Sequence, residues 1–394
     1  MKYDFDAVVD RTGTNCLKYD FAVERGRQAD VLPLWVADMD FPTAQPIVER
    51  LQKAVAHGIF GYSEPKTPYY EAVASWYDKH FAWRPEEKWL VKTPGIVYAL
   101  AVAVQTFTKP GESVLIQQPV YYPFSEVITD NGRNLVSSDL VYHNGHYEID
   151  FEDFERKIVE NQVSLFLLCS PHNPVGRVWS KKELKRLGEI CLAHHVLVIS
   201  DEIHADFTYP GYHHTIFASI NPDFAQNCII CTAPSKTFNL AGLQVSNLWI
   251  PNGSLRRQFR HGIAATGYSQ LNCLGLTACQ AAYEEGEEWY EQLKDYLYEN
   301  LQFVDSFLQK ELPEIKLIQP EGTYLIWLDC SALGLSANEL DDLIEKKAKL
   351  WLDSGKIFGK TGEGFQRINI ACPRATLEQA LLQLRDAVRD LKNQ

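Results

Sequence analysis

Five short, almost wholly apolar runs constrain this 394-residue chain more than any other feature. They are SVLIQ (113–117), SLFLLCS (164–170), VLVIS (196–200), CIICT (228–232) and VSNLWI (245–250). A half-exposed strand alternates apolar and polar residues; a strand apolar throughout has to be covered on both faces. Helix-length segments separate these runs. The pattern therefore predicts an α/β fold, a mostly parallel sheet with helices on both sides.

The intervening spacing predicts helices over 68–83, 95–107, 123–132 and 180–195. The last opens on Ser180 with Glu183 three residues on, the spacing of a capping box. WLVKT (89–93) reads as one more strand, and helical periodicity runs from 253 to 311. The final stretch changes character. YLIWLDC (324–330) and FQRINIA (365–371) read as strands, and 337–348 and 376–392 as helices. We expect a large domain over 51–288 and a smaller α+β domain over 289–394. An N-terminal arm over 1–50 is expected to contribute to the smaller one.

The charge balance is 38 basic against 51 acidic residues, a net of −13. That opposes a phosphate-backbone footprint, so no nucleic-acid partner is expected. It also disfavours anionic membranes, and no apolar run approaches the ~20 residues of a membrane span. The first residues, MKYDFDAVVDRTG, hold no apolar stretch of the kind a secretory leader needs. Of nine cysteines only Cys228 and Cys231 have C-x-x-C spacing, inside an apolar run and without a second pair. They read as small buried hydrophobes, and no metal site is expected. Free thiols in this number predict a reducing, cytoplasmic home.

Three of the apolar runs end in conspicuous polar residues. SLFLLCS leads into His172-Asn173, VLVIS into Asp201-Glu202 and His204, and CIICT into Ser235-Lys236. Ligands of open α/β sheets bind at the carboxyl ends of the strands, so these groups are candidates for one site. A lysine forming a Schiff base needs partial desolvation to present a free amine. A pyridine used as an electron sink needs an acid at its ring nitrogen. An asparagine can donate to the neighbouring phenolic oxygen, and Tyr121, just past SVLIQ, can stack on the ring. The helix start at Gly95, Ile96 and Val97 offers amides to a phosphate. Together these needs match pyridoxal 5′-phosphate (PLP).

Six longer motifs sharpen the reading: LWVADMDFP (34–42), SPHNPVGRVW (170–179), SDEIHADF (200–207), APSKTFNLAGL (233–243), EGTYLIWLD (321–329) and INIACPR (368–374). In this order they resemble the MalY/PatB-type cystathionine β-lyases, C–S lyases of the fold-type I, aminotransferase-like PLP enzymes. The resemblance implies that Lys236 carries PLP and shuttles protons, with Asp201 at the pyridine nitrogen. It implies Asn173 on the phenolic side of the ring, Tyr121 stacked on it, and Ser235 with the amides of Gly95, Ile96 and Val97 around the phosphate. His204 stands where aminotransferases often carry a Tyr. Gln244 stands where many carry a phosphate-binding Arg, a departure shared with the lyase branch. Arg374 is implied as the clamp on the substrate carboxylate. Tyr62, in FGYSEP, is implied to reach the phosphate of a neighbouring subunit, which makes a homodimer with shared active sites. The implied reaction is α,β-elimination of cystathionine, cysteine or cystine to a thiol, pyruvate and ammonia. The alternatives are an aminotransferase, or a lyase that also docks to a regulatory protein.

Overall fold

In the computed structural model, residues 2–393 are described. The apolar runs form the heart of a seven-stranded sheet. Its strands are β1 (Leu90–Thr93), β2 (Ser113–Ile116), β3 (Asn134–Ser137), β4 (Leu165–Cys169), β5 (Leu197–Asp201), β6 (Cys228–Thr232) and β7 (Ser246–Trp249). The order across the sheet is β1-β7-β6-β5-β4-β2-β3. Only β7 runs against its neighbours; every other pairing is parallel.

Period-two alternation divides the strands between two cores. Leu115, Phe166, Leu168, Val198 and Ile230 face one side. Val114, Ile116, Leu167, Ile199 and Ile229 face the other. The principal helices are α1 (Gln45–His57), α2 (Thr67–Phe81), α3 (Ile96–Phe107), α4 (Phe151–Asn161), α5 (Lys181–Ala193), α6 (Gly253–Ala265), α7 (Cys273–Glu285), α8 (Glu287–Glu311) and α9 (Arg374–Lys392). Helices α3 and α6 cover the second face through Leu100, Ala103 and Phe259. Helices α2, α5 and α7 cover the first through Val73, Leu187 and Ala278. Each buried Val, Leu, Ile or Phe side chain contributes about 1.5–3 kcal/mol, which is why strands without a polar face are stable here.

A second, antiparallel sheet has β8 (Lys316–Ile318), β9 (Leu325–Asp329), β10 (Asp353–Ser354) and β11 (Phe365–Asn369), in the order β8-β9-β11-β10. The N-terminal segment joins this end of the molecule. Leu32–Pro33 pairs in parallel with Leu350–Trp351, and Asn369 N donates to Leu34 O.

The structure departs from the periodicity in a few places. Helices α1 and α4 were not expected, because α1 buries only Ile47 and α4 only Phe154 and Ile158. Edge strand β3 was passed over because its first two residues are exposed. The helix expected over 337–348 runs as an α-helix to Asp342 and continues as a π-turn over Leu343–Lys347.

Candidate active site

Parallel pairing brings the three polar strand ends to one edge. In register, Cys169 of β4 faces Asp201 of β5, which faces Cys231 of β6. Asn173 follows β4 by four residues and Lys236 lies in the short helix Pro234–Thr237 after β6. Tyr121 N donates to Asn173 O at 3.0 Å, which sets that ring beside the Asn173 turn. At the same edge, two strands along, β1 ends at Thr93 and α3 begins. Gly95 caps α3 with no side-chain bond, so the first amides of the helix, at Ile96 and Val97, have no intrahelical acceptor. A Cβ on Gly95 would meet nothing within 4 Å, so there is open space beside the helix start. The Ser235 side chain is half-buried.

The segment 34–41 lies over these strand ends. Lys236 Nζ donates to Ala37 O at 2.7 Å, as does Tyr324 Oη at 3.2 Å. Asn239, three residues past the lysine, bonds Met39 N, Met39 O and Phe41 O. Asn369 Nδ2 donates to Val36 O and Asp38 O. The arm thus closes the site from the second sheet to the lysine.

Burial sets the charge states. It pushes the Lys236 amine down to about 8; Arg367 acts in the same direction, whereas Asp38 and Asp201 oppose it. Burial pushes Asp201 up to about 7 against a hydrogen bond from Ile203 N and the charge of Lys236. His204 is held well below the ordinary imidazole range by burial, then by Lys236 and Arg367. It is 4 % exposed, and its Nδ1 has no hydrogen-bond partner among the described residues.

Arg374 requires a correction. It is the first residue of α9, and its Nε donates to Asn300 Oδ1 at 2.8 Å. Its guanidinium sits 4.7 Å over the Phe303 ring and its amide donates to Tyr296 Oη. These contacts are all with α8, and they tie α9 to α8 rather than aim the charge at Lys236. Sequence reasoning passed over the arginine that does face the strand ends, Arg367 of β11. It is 2 % exposed, and its Nη1 donates to Asn173 Oδ1 at 3.0 Å. Its Nη2 donates to Trp35 O at 2.9 Å and pairs with Asp353, while Nε has no partner among the described residues. It is a charge at the centre of FQRIN, whose five residues are all buried, and that burial shows only in the structure.

Two further acids in SDEIHADF support the site from behind. Glu202 accepts from Ser200 Oγ, Phe217 N and His214 Nε2. Asp206 accepts from Trp76 Nε1 at 2.8 Å and from Thr237 Oγ1 at 2.5 Å, holding the residue next to Lys236. Gly176 fixes the turn after Asn173. Its φ is +74° and a Cβ would lie 2.8 Å from Pro320 Cβ. Tyr62 is not part of this cluster in one chain; it is 94 % exposed, near exposed Ile59 and Phe60.

The residues fit PLP. Asp201 is a buried acid whose carboxylate accepts, among the described residues, one hydrogen bond from an amide, and a protonated pyridine nitrogen is the partner such an acid lacks. His204 Nδ1 is an orphaned polar atom near a buried amine, and uncapped amides lie along the same edge. The fold and this edge define a fold-type I PLP-dependent transferase. The chain matches the family "Aminotransferase class I and II" over residues 29–384, and it belongs to that family. It is 44 % identical to cystathionine β-lyase PatB of Bacillus subtilis (strain 168), covering 98 % of this chain and 100 % of that one. It is 33 % identical to protein MalY of Escherichia coli (strain K12), over 99 % and 100 % of the two chains. Among solved structures it is similar to cystalysin from Treponema denticola, which contains PLP. There the TM-score is 0.96 and the identity 38 %, covering 99 % and 100 % of the chains.

Proposed function

We propose that this protein is a PLP-dependent C–S β-lyase that cleaves the Cβ–S bond of a small sulfur amino acid, cystathionine or cysteine. The observation that carries the reading is 44 % identity, over 98 % of the chain, to a relative named cystathionine β-lyase. PLP, when bound, supplies the electron sink that stabilises negative charge at the substrate Cα.

We assign the chain's own residues as follows. Lys236 holds the cofactor, and its Nζ then takes the proton from the substrate Cα. Asp201 keeps the pyridine nitrogen protonated. Asn173 and His204 face the phenolic side of the ring, Tyr121 its flat face, and Ser235 with Gly95, Ile96 and Val97 the phosphate. Arg367, in place of Arg374, binds the substrate α-carboxylate; Asn173 and Asp353 orient its guanidinium. Loss of the thiol from Cβ releases an enamine whose hydrolysis yields pyruvate and ammonia. We place the lobe boundaries at 50/51 and 288/289, the enzyme in the cytoplasm, and Tyr62 against the neighbouring site of a homodimer.

Purified enzyme given cystathionine without a keto acid is expected to release pyruvate continuously. A single turnover that stalls in the amine form of the cofactor would identify an aminotransferase instead. Lys236→Ala is expected to lose the visible imine band and to slow turnover by on the order of a thousandfold.

A further inference from the structure

We propose that Arg25 recognises the distal carboxylate on the leaving-group side of the substrate, favouring cystathionine-type thioethers over uncharged S-alkyl cysteines. The proposal rests on the lyase reading above. Three arginines gather where the N-terminal arm meets the second sheet, and two of them pair with carboxylates of the chain. Arg367 pairs with Asp353, and Arg27 pairs with Glu345 at 2.6 Å. Arg25 has no carboxylate within 4 Å among the described residues. Its guanidinium instead lies 5.4 Å over the Trp35 ring, and Trp35 is stacked at 4.4 Å on Trp351.

Trp35 links this free cation to the site. Its carbonyl accepts from Arg367 Nη2 while its ring carries Arg25. Tyr122, next to Tyr121, lies in the field of both arginines. Its ring centroid is 6.4 Å from that of Phe358, over which Arg367 sits at 4.9 Å. A substrate held by its α-carboxylate at Arg367 would extend past Trp35 and Tyr122 towards Arg25. A guanidinium held over an indole face by cation–π attraction keeps N–H groups free for contact with a carboxylate. Cystathionine has a carboxylate at its far end; S-propyl-L-cysteine shares the scissile Cβ–S bond and lacks that charge.

The test is the ratio of kcat/KM for L-cystathionine over that for S-propyl-L-cysteine. Arg25→Gln keeps a planar group for Trp35 and removes the charge. It is expected to lower the ratio about fivefold, the size of one exposed ion pair, with the change in the KM for cystathionine. Arg25→Ala is expected to match it, and Arg25→Lys, which keeps the charge but loses the planar fork, to give a ratio between those of Arg25→Gln and wild type. An unchanged ratio in Arg25→Gln and Arg25→Ala overturns the proposal and leaves the lyase reading intact. Equal losses on both substrates also overturn it, since they mark a merely structural role. A wild-type enzyme that cleaves neither substrate overturns the lyase reading, and this proposal with it.

Discussion

At the scale of single residues, two arginines seven positions apart carry opposite expectations. Arg367 is buried at the edge of the strand-end cluster with its Nε unpartnered, whereas Arg374 stacks on Phe303 of α8. Arg367→Lys keeps the charge but loses the planar fork, and it is expected to raise KM by about tenfold or more. Arg374→Ala is expected to change kcat/KM by less than about threefold. Steady-state kinetics on the pair decides between them, and a reversed order would return the clamp to Arg374. Asp201 carries a pH signature. In the cofactor-free protein its folded value near 7 lies above the ordinary carboxyl value of 3.8. The folded state then binds the extra proton, so its contribution is present below about 4 and is lost as pH rises through about 7. Thermal unfolding of the stripped protein should show a fall in Tm from pH 5 to 7.5 that Asp201→Asn lacks. Parallel curves would contradict this account. Asp201, Lys236 and Asn173 were legible from sequence because each follows an apolar run. Arg367 was not, because FQRINIA reads as an ordinary strand until its neighbours are known.

At the scale of elements, helix α5 shows a local signal that survives into the fold. The Ser180 side chain accepts from Glu183 N, and Glu183 Oε2 accepts from Ser180 N at 2.8 Å. The same Glu183 also pairs with buried Arg177, whose Nε pairs with Glu321 at 2.9 Å. A single cap thus ties the helix start to the loop behind Asn173. Ser180→Ala is expected to cost about 1 kcal/mol in denaturant unfolding, with little change in m-value. A loss below a few tenths would mean that the cap is redundant. The seven-stranded sheet was readable because apolar runs need two covers. Edge strand β3 and helix α1 were not, because few of their side chains are buried.

At the scale of the molecule, the exposed stretch Ile59, Phe60 and Tyr62 is the kind of apolar surface that marks an interface. In the shared-site homodimer we propose, each site takes its lysine from one chain and its Tyr62 from the other. Lys236→Ala and Tyr62→Ala subunits, each inactive or impaired alone, are expected to regain activity when mixed and allowed to exchange. Random reassortment makes half of the dimers hybrid, each with one intact site, so recovery should approach about a quarter of wild type. No recovery after demonstrated exchange would confine each site to its own chain. No helix among the described residues is long and apolar enough to cross a membrane.

What the amino-acid order alone determined is the sheet and which polar residues stand at its edge. Apolar runs demand burial on both faces, and parallel strands must place their carboxyl ends together, so Asn173, Asp201 and Lys236 could be paired before any coordinates. The tertiary structure alone decided which arginine faces them. That depends on the docking of β11 against the N-terminal arm, a contact between residues 332 positions apart. Local periodicity carries no information about a partner so distant in the chain. The same end of the molecule sets Arg25 over Trp35 with no carboxylate within 4 Å among the described residues, a placement that the charge total of −13 could not reveal.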